Sequence, residues 1–204
     1  TSANFGNMIS MALVTPLLPF LPLAAKQILL NNFLSDVPSV AISSDNVDPE
    51  RVTRPQRWNV SEIRKFMMVF GLVSSVFDIL TFALLVLVFR ASEASFQTSW
   101  FMISLLTELA VVLVLRTHRP VFRSKPSQLL LWSTIAVVAA TFAIPFLGTL
   151  TSVFGFVPLS APQLIAIAAI VLGYIVATEL TKAWYFRSER SGAGHGKKAA
   201  RVDT

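Results

Sequence analysis

The sequence contains no cysteine, which excludes disulfides, thiolate nucleophiles and zinc–thiolate sites. It is also poor in charge. Only 14% of its 204 residues are Asp, Glu, Lys or Arg, whereas a soluble domain carries about 25%. The shortage is uneven: residues 126–178 hold no charged side chain at all. That stretch could supply two membrane-spanning helices of roughly 20 residues each. No phosphate-binding G-x-x-x-x-G-K-[ST] loop is present. Alternating polar and apolar positions are missing too, which argues against a barrel. No basic segment precedes the first apolar run, so the pattern of a signal peptide is absent. The chain reads as a fragment that starts inside a helix.

What is there is apolar: 54% of the residues are hydrophobic and the mean hydropathy is +0.66. Six apolar segments can be drawn, at about 1–20, 24–42, 66–89, 97–115, 127–148 and 162–184. Each is near the length needed to cross about 30 Å of hydrocarbon at 1.5 Å per residue. The expected fold is an all-α membrane protein, a bundle of six transmembrane helices.

A net charge of +6 is compatible with nucleic-acid binding, but its placement argues otherwise. Fourteen of the seventeen Lys and Arg lie in loop 43–65, loop 116–126 and the tail from Arg187. Loops 17–24, 90–98 and 148–161 contain only Arg90. By the positive-inside rule the basic side is cytoplasmic, and so is the C-terminus. The same charge would attract anionic lipid. No nucleic-acid partner is expected. Asn59 and Glu62 form a capping-box pair for the helix that follows them. The Asn59-Val60-Ser61 sequon is accidental on a cytoplasmic loop. Residues 188–204 are expected to be a basic, disordered cytoplasmic tail. His118 and His195 lie in basic segments and are assigned no role. Ala169, Gly173 and Ala177, spaced by four, favour close helix packing within the chain over a dimer seam.

Ionisable groups at membrane depth are costly and mark pathways by default. Asp36, Asp78 and Glu108 sit well inside their segments, whereas Lys26 and Glu179 lie near ends and can snorkel. Asp36 stands out. Asn32 precedes it by four residues, on one helical face, and Pro38 follows. Proline has no N–H, so the Leu34 carbonyl loses its usual partner. The second helix is therefore expected to be interrupted near Asp36/Pro38. Carboxylate, amide and freed carbonyl oxygens suit a hard cation such as Mg²⁺ or Ca²⁺. Asn4 and Asn7, three apart near the start, would add amide oxygens, although interhelical hydrogen bonding explains them equally well.

"SANFGNM" followed by "QILLNNFLSDVP" resembles the fifth and sixth transmembrane helices of P-type cation-transporting ATPases. "NNFLSD" resembles that family's Asn-x-x-x-Asp ion-site signature, and "SSVFDILTFALL" and "LLTELAVVLVLRT" are similar to helices seven and eight of the magnesium-transporting branch. The resemblance covers residues 1–187 and implies the last six of ten helices. It implies a metal site of Asn4, Asn7, Asn32, Asp36 and Glu108, with Ser35 and Asp78 on the pathway. Related calcium pumps carry a glutamate at the position of Asn7, so one ligand charge is missing here, which points to a single divalent ion. It implies Mg²⁺ as the transported ion and the bacterial inner membrane as the location. The partners implied are the remainder of the pump, with its cytoplasmic domains and first four helices. ATP would be bound by those domains: the family's Asp-Lys-Thr-Gly-Thr phosphorylation motif does not occur in this sequence. Phosphorylation there would tilt the first two helices and switch access to the site. The alternatives are a pump for Ca²⁺ or a monovalent cation, or a free-standing membrane scaffold without transport.

Overall fold

The computed structural model describes residues 2–45, 60–117 and 124–199, with side chains except those of 2–7, 62, 150 and 188–199. Asn59 of the expected capping box and the Glu62 side chain lie outside the described residues. Helices run over Ser2–Val14 (α1), Ala25–Ala41 (α2), Val60–Ala83 (α3), Glu93–Leu115 (α4), Gln128–Ala143 (α5), Gly148–Phe154 (α6) and Ala161–Ala199 (α7). No strand occurs among the described residues.

Among the described residues four helices are long and apolar enough to cross a membrane: those covering Ile63–Val88, Glu93–Leu115, Gln128–Phe146 and Ala161–Arg187. The first two of the six expected segments are represented by shorter helices. α1 has 13 residues and α2 has 17, or about 20 and 26 Å at 1.5 Å per residue, short of about 30 Å. α6 was not expected at all. It ends on Gly155, whose φ of 75° is the left-handed conformation that glycine adopts freely. α7 continues as helix to Ala199, where a disordered tail is expected from 188.

α4 is the centre of the bundle. Every residue from Phe96 to Val111 is buried. α2, α5, α7 and α1 pack around it, so its polar residues Gln97, Ser104, Thr107 and Glu108 sit inside the bundle rather than against lipid. Phe96 stacks on Trp100 at 5.5 Å between ring centroids and meets Phe20 edge-on at 5.5 Å. Phe101 packs against Phe156 at 4.7 Å. The outer helices turn Leu129, Trp132, Leu172, Val176 and Leu180 outward. An exposed apolar surface of this kind suits lipid rather than water. On α7 the buried stripe is Ile167, Ile170, Tyr174, Thr178 and Lys182. Gly173 flanks it beside the Phe77 ring of α3, and both Gly173 and Ala169 are exposed.

Polar contacts sort the loops into two ends. At one end Gln97 Nε2 donates to the Leu21 carbonyl (2.9 Å), the Val157 N–H to Thr98 Oγ1 (3.0 Å) and Gln163 Nε2 to Ser95 Oγ (2.9 Å). Here Lys26, expected to snorkel, donates to the Val153 carbonyl, and Gln27 Nε2 to that of Phe154 (3.0 Å). Together they cap the C-terminus of α6, where carbonyls lack partners and a cation is favoured. At the other end Arg116 pairs with Asp45 at 2.8 Å. Lys182 Nζ donates to the Val114 carbonyl at 2.9 Å and to Glu179 at 3.0 Å. The ends of α2 and α4 and the inner part of α7 therefore lie together, as the basic loops require.

Candidate ion-binding site

α2 carries two polar stripes. Gln27, Asn31, Ser35 and Pro38 are buried, and their spacing of three or four puts them on one face. Asn32 and Asp36 lie on the neighbouring face and are exposed. The buried stripe meets α4. Asn31 Nδ2 donates to Glu108 Oε2 at 3.2 Å, and the Ser35 side chain lies beside the same carboxylate, its hydroxyl donating to the Asn32 carbonyl at 3.1 Å. Glu108 is 7% exposed, so the Asn31 bond offsets part of the cost of burying its carboxylate. Asp36 is close enough to Glu108 to interact with it electrostatically.

Asn31 is the residue that the sequence reading missed. Its Oδ1 is buried with no hydrogen-bond partner, while its Nδ2 is engaged by Glu108. Asn31, Asn32 and Ser104 line one cavity of about 450 Å³, together with Met8, Met11, Leu23 and Ile28. The cavity lies between α1, α2 and α4. Ser104 and Glu108 are four apart, on one face of α4. The arrangement offers amide, hydroxyl and carboxylate oxygens and no soft donor. The i, i+4, i+8 run of Gln27, Asn31 and Ser35 was the available signal.

The expected residues divide. Glu108 and Ser35 lie beside one another, and Asn32, whose carbonyl accepts from the Ser35 hydroxyl, lines the neighbouring cavity. Asp36 is adjacent but faces out of the bundle. Asn4 and Asn7 lie on α1, and their side chains are outside the described residues. Asp78 belongs to a different seam: it is 5% exposed on α3 and bonds Ser10 of α1, with Oδ2 unpartnered. One turn before it, Ser74 Oγ meets the Tyr174 hydroxyl at 2.8 Å.

The expected interruption at Pro38 does not occur: α2 is continuous from Ala25 to Ala41 with Pro38 inside it. Only the bond to the Leu34 carbonyl is lost, one turn from the helix end. The Ile42 N–H still reaches the Pro38 carbonyl, and Ser39 Oγ donates to the Ser35 carbonyl at 2.9 Å. No group of three or more His, Asp or Glu that could hold a metal occurs among the described residues. Any cation here would rely on neutral oxygens and few carboxylates.

The family model "Cation transporting ATPase, C-terminus" matches residues 20–184. A "Magnesium-transporting ATPase, P-type 1" of Escherichia coli K12 is 40% identical over 191 residues, covering 91% of this chain. Two proteins of that name from Salmonella typhimurium LT2 are 39% and 34% identical over the same length. The chain spans about a fifth of these relatives, 21% of their length. With a match over most of its residues, the chain belongs to the C-terminal family of the cation-transporting ATPases.

Proposed function

We propose that this chain is the membrane domain of an ATP-driven magnesium pump and forms part of its intramembrane ion site. The observation that carries the reading is the Asn31–Glu108 contact beside a cavity lined by Asn31, Asn32 and Ser104. Mg²⁺ is small, demands octahedral oxygen coordination and gives up water reluctantly. A site with one buried carboxylate, amide oxygens and room for retained water suits such a substrate. A larger ion that takes six to eight protein oxygens is served less well. The name shared by the relatives, "Magnesium-transporting ATPase, P-type 1", supports the same ion.

In this reading the exposed face of Asn32 and Asp36 meets the remainder of the pump, which supplies further ligands, binds ATP and carries the phosphorylation step. Asn4 and Asn7 contribute from α1. Asp78 lies on a separate polar seam that borders the pathway. The basic end faces the cytoplasm of a bacterial inner membrane, and the C-terminus lies on that side. The calcium, monovalent-cation and scaffold alternatives have no observation in their favour.

Asp36→Asn in the full-length pump tests the reading. The carboxylate offsets part of the ion's lost hydration, while the amide keeps its shape. Stimulation of ATP hydrolysis by free Mg²⁺, with MgATP held saturating, should disappear with little loss of folded protein. Undiminished stimulation removes Asp36 from the site.

A further inference from the structure

Asp45 lies just beyond α2, and its carboxylate joins three helix ends. Oδ2 accepts from Arg116 Nη1 at 2.8 Å, and Oδ1 accepts the Ser127 N–H at 2.8 Å. The pair is buried, with side chains 9% and 2% exposed. Arg116 caps the C-terminus of α4 and also donates to the Ser124 carbonyl. Ser127 is the N-cap of α5, its Oγ accepting the Leu130 N–H at 3.2 Å. Each charge has the sign that its helix end favours: a cation where α4 finishes and an anion where α5 begins.

This pair lies nine residues past Asp36 on one strut and eight past Glu108 on the other. α4 is held on every side, and Lys182 grips its Val114 carbonyl. α2 is the less enclosed partner, with Asn32, Phe33, Asp36 and Val37 all exposed. Three polar ties bear on its register against α4: the Asp45–Arg116 ion pair at one end, Asn31–Glu108 at membrane depth and the longer Gln27 Nε2–Gln97 Oε1 contact of 3.5 Å towards the other end. A slip of one residue along the axis, about 1.5 Å, would stretch the 3.2 Å Asn31–Glu108 bond to about 3.5 Å, the edge of hydrogen bonding.

We propose that the Asp45–Arg116 pair is a positioning lock that fixes the axial register of α2 against α4 and thereby sets the affinity of the ion site. The proposal rests on the reading of that site given above. Asp45→Asn keeps an acceptor for the Ser127 N–H but removes the charge that holds Arg116. Arg116→Lys keeps the charge but not the two-pronged grip on Asp45 and Ser124.

The test uses the full-length pump, with free Mg²⁺ varied at saturating MgATP. Both variants should raise the half-saturating Mg²⁺ concentration, Asp45→Asn by about tenfold, the lower end of what losing a supporting contact around a metal ligand costs. The rate at saturating Mg²⁺ should be largely retained. A merely structural defect would lower that rate, through less active pump, and leave the half-saturating concentration unchanged. Unchanged half-saturation in both variants, alongside an Asp36→Asn control that abolishes stimulation, overturns the lock. Full stimulation in the Asp36→Asn control overturns the site reading itself. Should Asp45→Asn fail to accumulate, Asp45→Glu and Arg116→Lys decide the question by the same criterion.

Discussion

Gly173 faces Phe77 where α7 crosses α3, and a methyl group can be added there on paper. A Cβ at Gly173 would stand 3.4 Å from Phe77 Cε1 and 3.9 Å from Cζ. These are ordinary van der Waals distances, and the neighbour is a ring rather than backbone. The same ring meets Tyr174 edge-on at 5.4 Å, so it is held but not trapped. Gly173→Ala then gains helix propensity of about 0.8–1.0 kcal/mol with little steric cost. For a chain of this size about 1 kcal/mol corresponds to roughly 2–4 °C in Tm. Thermal unfolding of the detergent-solubilised protein, followed by circular dichroism, should show a rise of that order. Gly173→Leu is the opposing case, because its larger side chain must displace Phe77; overpacking of this kind costs about 1–3 kcal/mol. A fall of several degrees in Gly173→Ala would refute the reasoning, since it would mean that α3 and α7 require closer approach than the Phe77 distances imply.

Tyr174→Phe removes the hydroxyl that meets Ser74 Oγ at 2.8 Å. Ser74 still donates to the Phe70 carbonyl at 3.1 Å, so no buried donor is orphaned and the loss should stay near 1 kcal/mol. Denaturant titration in detergent checks this, and a loss above about 3 kcal/mol would mean that the hydroxyl anchors a wider network. For topology, cysteines introduced by Ser44→Cys and Ser152→Cys should react with impermeant thiol reagents from opposite sides of the membrane. Labelling of both from one side contradicts the orientation drawn from the basic loops.

The all-helical, membrane-type composition was legible in the sequence, but that α4 is the central helix was not: the charge-free helix α5 is more uniformly apolar and lies largely exposed. "NNFLSD" marked α2 as a polar helix, and α2 does carry a buried polar stripe. Which asparagine turns inward was not legible. Asn31 and Asn32 are one residue apart, about 100° around the helix, and the contact with α4 decides between them. The consequence of Pro38 was overestimated. A missing N–H removes a single bond, and one turn from the end of α2 that loss leaves the helix intact. Lys26 offered no hint of its partner, because the Val153 carbonyl lies 127 residues away in sequence, on a short helix within what the sequence reading took as the loop 148–161. The Asp45–Arg116 pair was hidden for the same reason: its members lie in separate loops 71 residues apart.

The central claim is that Glu108, held by Asn31, belongs to the ion site. Equilibrium binding of Mg²⁺ to the full-length pump without nucleotide tests it most directly, comparing Glu108→Gln with Glu93→Gln at the far end of the same helix. Glu108→Gln should weaken binding by about tenfold or more, while Glu93→Gln leaves it unchanged. Wild-type affinity in Glu108→Gln would contradict the account, and would reduce the Asn31–Glu108 contact to a packing interaction between α2 and α4.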